Sequence, residues 1–471
     1  MIDIKNLTIS SAHKALSSKE FSSVDLLNAC LKNIEDRNSE LFAFIEVFSD
    51  AKEQAENADK MIAEGKATSL TGIPFAIKDN ILFEGHIASA SSKALSKHTA
   101  TYSAPIIKKL REMGAVVIGR TNMDEFAMGS STENSSLGVT KNPYDSSRVA
   151  GGSSGGSASA LASGMCLFAL GTDTGGSVRQ PAGFCGVVGY KGSYGSVSRS
   201  GIISMGNSLD QVGPMTKSSD DLKIVFDAIS FFDKNDATSI PENFRKNETR
   251  EFKKIGVPWT MIEREGIDGE TLSNFKETIS KLEKEGNETV PIELPLTEYS
   301  LAVYYIIMPA EVSTNLSRFD GIRYGSRVDA PNLFETYTKS RREGFGPETR
   351  RRVMLGTYVL SHGYYDAYYK KAINMKSAIR KELLEVFKTV DVIATPTTPS
   401  PAFRVGEKSD PLQMYLSDIF TVPANIVGFP AISIPNKTSS SGLPLDIQFM
   451  ASDREDSSLI AFSQKFEKIK E

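Results

Sequence analysis

Along most of the chain, stretches with helically spaced apolar positions alternate with short runs that are apolar throughout. "SSVDLLNACLKNIEDRN" places its apolar residues on one helix face and opens on a Ser22-x-x-Asp25 capping pattern. "SDAKEQAENADKMIAEG" starts at a Ser/Asp cap and stops at Gly65. "GIPFAIKDN" (72–80) reads as a buried strand ending in charged residues. "SAPIIKKLREMG" is a helix followed by the strand "AVVIGRTN", "MCLFAL" is a further strand, and "DDLKIVFDAIS" is a helix. A polar connector around 233–252 then separates two halves. The second half resumes with "KKIGVPW", a helix near 268–285, a helix near 301–317 and a long helix near 347–388, and closes on the strand-like "DVIATPT", "AISIPN" and "LPLDIQFMA". The pattern predicts an α/β fold over 1–471 with one large sheet built from both ends of the chain. A mainly helical excursion occupies about 260–390, and strands return over about 390–452.

Composition narrows the function classes. The chain has 471 residues, 40% hydrophobic and 24% charged, which supports a large core. Its net charge of −4 and lack of a long basic block argue against unaided nucleic-acid binding. The densest cationic stretch, "KSRREGFGPETRRR" (339–352), reads by itself as a solvated helix face interrupted by a turn. Cys30, Cys166 and Cys185 are widely spaced with no CxxC pair, which fits a reducing compartment. The scattered histidines His13, His86, His98 and His362 form no HExxH, so no metal site is expected. With no leader-like start and no apolar run of about 18 residues, the expectation is a soluble protein of the cytoplasm, or of an organellar matrix in a eukaryote.

The chemistry concentrates around "GGSSGGSASALASG" (151–164). A flexible linker would have polar flanks, but this run leads into a small, helix-compatible segment and an apolar strand. A phosphate-binding P-loop needs a lysine after the glycines, and none follows Gly155 or Gly156. The GxSxG elbow of α/β-hydrolases needs a hydrophobic strand running into Ser153 and a downstream base histidine; the approach here is polar "KNPYDSSRVA", and the available histidine is His362. A better nucleophile is Ser177 in "LGTDTGGSVRQPAGFCG". Gly175 and Gly176 before it allow a tight bend that turns backbone N–H groups inward, as an oxyanion hole requires. With no suitable histidine, the base is a lysine desolvated enough to be neutral, and Lys78 at the end of "IPFAIK" fits. An isolated lysine at a strand end is more often a surface residue; the joint pattern favours the base.

That pattern, "GIPFAIKDN", "GGSSGGSASALASG" and "GTDTGGSVRQPAGFCGVVGYK", resembles the amidase signature family, with the signature core over about 72–215. The resemblance implies an α/β/α fold with a large mixed central sheet. It implies a Ser–cis-Ser–Lys triad in which Ser177 is the nucleophile, Ser153 the bridging serine in a cis peptide and Lys78 the base. Thr174, Gly175, Gly176 and Ser177 are then the oxyanion donors. Asp173 and Arg179 flank the nucleophile as a pair that braces its turn, and Ser154 is a structural neighbour.

Outside the signature, "NMDEFAMGSSTENS" (122–135), "NLSRFDGIRYG" (315–325), "RRVMLGTYVLSHGYYDAYYKKA" (351–372) and "DPLQMYLSDIFTVPANIVGFPAIS" (410–433) resemble the glutaminase subunits of glutamyl-tRNA(Gln) amidotransferases. Those subunits hydrolyse glutamine and pass ammonia to a partner that amidates Glu-tRNA(Gln) or Asp-tRNA(Asn). The resemblance implies glutamine recognition by Tyr304, Arg352 and Asp418, with the register open between Tyr304 and Tyr305 and within 350–352. It implies partner subunits B and C, ATP and Mg at a partner, charged tRNA engaged mainly through that partner, and no cofactor in this chain. The alternatives are a stand-alone amidase for small amides and a non-enzymatic assembly protein; the intact triad weighs against the latter.

Overall fold

The computed structural model describes residues 2–246 and 248–470. Among them, eleven strands form one mixed sheet: β1 (Phe44–Val47), β2 (Pro74–Lys78), β3 (Val116–Thr121), β4 (Phe168–Asp173), β5 (Val188–Lys191), β6 (Gln211–Thr216), β7 (Lys254–Val257), β8 (Glu288–Pro291), β9 (Val392–Thr395), β10 (Ala431–Thr438) and β11 (Pro444–Ala451). The order across the sheet is β1-β3-β2-β4-β6-β5-β10-β11-β9-β7-β8. As expected, the sheet is built from both ends of the chain: β10, β11 and β9 sit between β5 and β7. The parallel trio β3-β2-β4 is buried throughout. Buried strands of this kind read as continuous apolar runs, which makes them visible in the sequence. The apolar pattern does not mark β1, β5, β6 and β8. β6, "QVGPMT", carries glycine and proline, and β8 is a partly exposed edge strand.

Local signals mostly hold. Ser22 caps the helix Ser23–Leu41 by accepting from the Asp25 N–H, and Asp25 accepts from the Ser22 N–H in return. Asp50 precedes the helix Ala51–Ala63 but makes no capping bond; its carboxylate accepts from Gln54 instead. The long helix expected over 347–388 is divided into Pro347–Leu360, a π-turn Tyr365–Tyr369 and Lys370–Val386, with Gly363 at φ +83° between the first two. The helices Leu333–Gly344 and Asp456–Lys470 are additions to the expected pattern.

Two apolar clusters organise the interior. One follows the sheet and its N-terminal helices through Phe75, Val117, Phe168 and Phe449. The other, including Phe126, Met308, Phe345 and Ile379, lies beneath the helical excursion. Among the described residues, no helix is long and apolar enough to cross a membrane. Among them, too, no group of three or more His, Cys, Asp or Glu side chains is arranged to hold a metal ion.

Candidate active site

The carboxyl ends of β2 and β4 point to one place, where ligands of parallel sheets commonly bind. β2 delivers Lys78, whose side chain is 0% exposed. Its Nζ reaches the Ser153 Oγ and Ser154 Oγ at 2.8 Å each, the Thr172 Oγ1 at 2.9 Å and the Thr172 carbonyl at 3.3 Å. Among the described residues, no carboxylate bonds to it. Burial pushes Lys78 down from the usual 10.5 to about 7, outweighing the attraction of Asp124, Asp173 and Asp210. A lysine so placed is neutral in a sizeable fraction of molecules near neutral pH, as a base must be.

The Gly/Ser loop is a packing device. The Gly152–Ser153 peptide is cis. The helix Gly155–Ala162 begins directly after Ser154 and buries all of its first seven residues. A Cβ on Gly156 would come within 2.4 Å of the Asn122 carbonyl, so the small residues let this helix press onto neighbouring backbone. Gln180 closes the loop from the other side. Its Oε1 accepts from the Gly152 N–H at 2.9 Å, and its Nε2 donates to the Ser130 carbonyl at 2.8 Å.

β4 ends at Asp173, and the turn beyond it presents Ser177, 8% exposed where Ser153 and Lys78 are fully covered. The Ser154 N–H donates to the Ser177 carbonyl at 3.2 Å, tying the two loops together. Thus Lys78 and Ser153 are joined directly and Ser177 is joined to the same loop through its backbone. Among the described residues the Ser177 hydroxyl makes no hydrogen bond. Asp173 and Arg179 form the expected brace. Arg179 Nε and Nη2 each lie 3.0 Å from an Asp173 oxygen, and both side chains are fully buried. Burial alone would raise Asp173; Arg179 and the Asn425 amide hold it at about 2. Arg179 also donates to the Thr421 carbonyl, Gln448 and Asn425, so all five of its donors are satisfied.

One expected donor is differently used. The Gly176 N–H donates to Asp173 Oδ1 at 2.8 Å, so it is directed away from an incoming substrate. Among the described residues, the N–H groups of Thr174, Gly175 and Ser177 are not engaged in this way. Gly176 has φ +132°, and a Cβ there would lie 2.2 Å from Thr421 Oγ1. The Thr174 hydroxyl is held by Asp210 at 2.7 Å.

The helical excursion covers this turn. Tyr304, in the helix Ser300–Leu316, lies so close that a Cβ on Gly175 would meet its ring at 2.8 Å. Tyr305 stacks instead on Tyr415, with ring centroids 3.8 Å apart, which separates the two positions that the sequence leaves open. Arg350 and Arg351 are exposed, whereas Arg352 is 3% exposed. Arg352 Nε donates to Glu348 Oε1 at 2.7 Å, and its guanidinium lies over the rings of Tyr305 and Tyr415. The sequence reading missed Glu348, although its i→i+4 spacing to Arg352 on a helix was visible. Asp418 is buried and accepts from Ser130 Oγ at 2.5 Å. Burial pushes it up to about 7 against the pull of Ser130 and Arg352. Also missed were Thr172, on β4 beside Lys78, and Asn425 and Gln448, which the returning C-terminal helix and strand bring to Arg179. A separate cleft of about 940 Å³, lined by Phe334, Tyr337, Arg341, Arg350 and Val353 among others, contains none of Lys78, Ser153, Ser177, Tyr304, Arg352 and Asp418.

Comparison with known proteins agrees with this geometry. The protein-family model Amidase matches residues 25–460. The chain is 46% identical over 476 residues to the A subunit of the glutamyl-tRNA(Gln) amidotransferase of Syntrophus aciditrophicus, covering 99% of this chain and 98% of the relative. It is 44% identical over 472 residues to the corresponding protein of Desulfatibacillum aliphaticivorans, covering 99% and 97%. Among solved structures, the corresponding amidotransferase protein of Thermotoga maritima is similar with a TM-score of 0.81 at 40% identity, covering 98% of this chain and 94% of that one. The peptide amidase of Stenotrophomonas maltophilia is similar with a TM-score of 0.83 at 25% identity, covering 98% and 96%. A lysine and two serines meeting at the ends of β2 and β4, and relatives matched along nearly the whole length, lead to one conclusion: the chain belongs to the amidase family.

Proposed function

We propose that this chain is the glutamine-hydrolysing subunit of a tRNA-dependent amidotransferase, the complex that the names of its curated relatives describe. The observation that carries this reading is the placement of a buried guanidinium and a buried carboxylate beside the nucleophile turn. The Thr421 hydroxyl lies 2.7 Å from the Gly175 carbonyl and 3.1 Å from the Asp418 carbonyl, and Arg352 Nη1 reaches Met308 on the helix whose Tyr304 lies against Gly175. A free α-amino acid presents one carboxylate and one ammonium group and needs such a pair, whereas a simple amide needs neither. Arg352 receives the α-carboxylate through the donors left after its bond to Glu348. Asp418 receives the α-ammonium, whose charge favours the ionised carboxylate, and Tyr304 closes the site beside Gly175.

Hydrolysis then follows from the triad. Neutral Lys78 takes a proton from Ser153 as Ser153 takes one from Ser177, and Ser177 Oγ attacks the side-chain amide carbon of glutamine. The N–H groups of Thr174, Gly175 and Ser177 stabilise the oxyanion. The proton on Lys78 returns through Ser153 to the departing nitrogen, which leaves as ammonia. Water then attacks the glutamyl ester by the same relay, releasing glutamate and restoring Ser177.

Subunits B and C complete this reading. ATP and Mg act at a partner, where ammonia amidates Glu-tRNA(Gln) or Asp-tRNA(Asn), and a cytoplasmic site of action goes with it. Affinity for tRNA comes largely from phosphate neutralisation, and a chain of net charge −4 is poorly suited to supply it. The stand-alone amidase is the weaker reading. Identity to two solved structures of amidases is 28% and 25%, against 40% and 46% for two of the amidotransferase proteins. Glutaminase assays of the purified chain, with subunits B and C, ATP and charged tRNA added in turn, test the proposal alongside tRNA filter binding. The expected result is a rate that rises with partners and weak tRNA binding by the chain alone. Tight binding alone, or a full rate indifferent to every partner, overturns it.

A further inference from the structure

Asp124 and Glu125 are adjacent, buried carboxylates that serve opposite sides of the site. Asp124 faces the Ser153 loop. Its N–H donates to the Ser153 carbonyl at 3.2 Å, and its carboxylate accepts from the N–H groups of Thr132 and Asn134. Glu125 turns the other way, into the excursion. One carboxylate oxygen accepts from the Ser92 hydroxyl at 2.6 Å. The other accepts from the Gly346 N–H at 2.8 Å and the Thr349 hydroxyl at 2.5 Å.

Those last two contacts lie at the start of the helix Pro347–Leu360, which carries both Glu348 and Arg352. Its N-cap residue is Gly346, which has no side chain with which to satisfy the free N–H groups of the first turn. Glu125, from a distant part of the chain, accepts from the N–H of that N-cap residue and from the Thr349 hydroxyl, where the helix dipole also favours negative charge. The fit is close: a Cβ on Gly346 would lie 2.6 Å from Glu125 Oε2. The neighbouring residue adds a second tie. Phe126, at φ +48°, packs its ring on Phe319 and Phe345 with centroids 5.3 and 5.8 Å away. The Ser92 hydroxyl, whose one proton is directed mainly at Glu125, also lies 3.1 Å from the Gly344 carbonyl.

We propose that Glu125 is a positioning residue for substrate recognition, capping the helix that carries Arg352 and so fixing the carboxylate clamp relative to the Ser153 loop held by Asp124. The proposal rests on the glutaminase reading for the identity of the clamped group. It makes a distinction that a merely structural carboxylate would not make. Loss of the cap displaces Arg352 and weakens binding of substrates with an α-carboxylate. It leaves Lys78, Ser153 and Ser177 in place, so acylation by a substrate lacking that group continues.

The test compares wild type with Glu125→Gln and Thr349→Val, each as the full chain assembled with its partner subunits. Glutamine kinetics and the acylation rate of Ser177 by a small neutral ester are measured in parallel, with a thermal melt for each variant. For Glu125→Gln the expected result is a rise of about tenfold in KM for glutamine, matching the loss of one charged contact. The expected kcat and ester acylation rate stay within about threefold of wild type, since no group of the relay is touched. Thr349→Val, which removes a single donor from the cap, moves KM in the same direction by a smaller factor. An unchanged KM in Glu125→Gln overturns the proposal. So does an equal loss on glutamine and ester, which marks a general structural role. If Glu125→Gln does not fold, Thr349→Val decides on the same criteria. A wild-type enzyme that acylates with the ester but does not hydrolyse glutamine would instead refute the glutaminase reading.

Discussion

Replacing Lys78 by methionine keeps the length of the side chain and removes the amine that contacts Ser153. Lys78 titrates at about 7 in the fold, against the ordinary 10.5. Between those values the unfolded chain carries a proton that the folded chain lacks. Stability therefore rises with pH across that window, and is flat below it, where both states are protonated, and above it, where both are neutral. The full displacement corresponds to on the order of 5 kcal/mol, an upper bound because local relaxation and water entry reduce it. Methionine at 78 abolishes this contribution, so the stability of wild type minus that of Lys78→Met should climb from pH 7 towards pH 10. Lys191, a second buried lysine lowered to about 7, contributes equally to both proteins and cancels in the difference. The measurement is the urea or thermal midpoint of both proteins over a pH series. In parallel, kcat/KM of wild type for glutamine should rise with an ascending limb centred near 7. Lys78→Met should lose about 10²–10⁴-fold in activity, and Lys78→Arg should not recover it, because arginine stays protonated. A stability difference that does not vary with pH, or a fully active Lys78→Arg, would refute the neutral-lysine argument.

The two serines should separate by trapping. An electrophilic glutamine analogue should label Ser177 in wild type, slowly in Ser153→Ala and not at all in Ser177→Ala, with peptide mapping as the readout; label on Ser153 reverses the assignment. In the assembled complex, Ser177→Ala should lose glutamine hydrolysis yet retain amidation fed by free ammonium. Arg352→Lys keeps the charge but loses the planar fork and its stacking on Tyr305 and Tyr415. It should raise KM for glutamine by about 10–100-fold, and an unchanged KM argues against the clamp. Gly176→Ala should destabilise by about 2–4 kcal/mol, from the strained φ and the contact with Thr421, and cut kcat more than it raises KM; a melt equal to wild type would show that the turn tolerates a side chain.

What can be read from the sequence is whatever is local. Lys78 is legible because a single polar residue ends a run that is apolar throughout, and Ser177 because paired glycines precede it. The Ser22–Asp25 capping box lies within four residues and forms as expected. What cannot be read depends on topology. Asn425 and Gln448 lie some 250 residues or more from Asp173 and Arg179 in sequence, and β10 and β11 carry that region back beside β5. The Gly176 N–H looks free in the sequence because its acceptor, Asp173, is only three residues back around a turn whose path the sequence does not specify. The break at 361–364 in the long helix is marked only by Gly363, and the aromatic flanks continue the apolar spacing on both sides and mask it.

The triad is written within 72–177, yet that segment is not a self-sufficient site. The nucleophile turn hangs on the Asp173 carboxylate, which accepts from the Gly176 and Val178 N–H groups, and the fully buried ion pair that fixes it is completed by groups from the C-terminal third. Asn425 donates to Asp173, while Thr421, Asn425 and Gln448 accept from Arg179. A buried pair left with unfilled donors is costly, and removing one partner from such a network costs about 3–5 kcal/mol. The strands that close the sheet are therefore also what holds Ser177 at its post. The excursion works differently. It contributes Tyr304 and Arg352 from helices packed over the turn, with an apolar cluster beneath them, and meets the nucleophile turn where Tyr304 lies against Gly175. Bond cleavage is thus fixed by the sheet and its returning strands, and recognition by the helices above. Substitutions in the first set should fall on kcat and on stability together, and substitutions in the second on KM, because only the second set can move without displacing the carboxylate that holds the nucleophile.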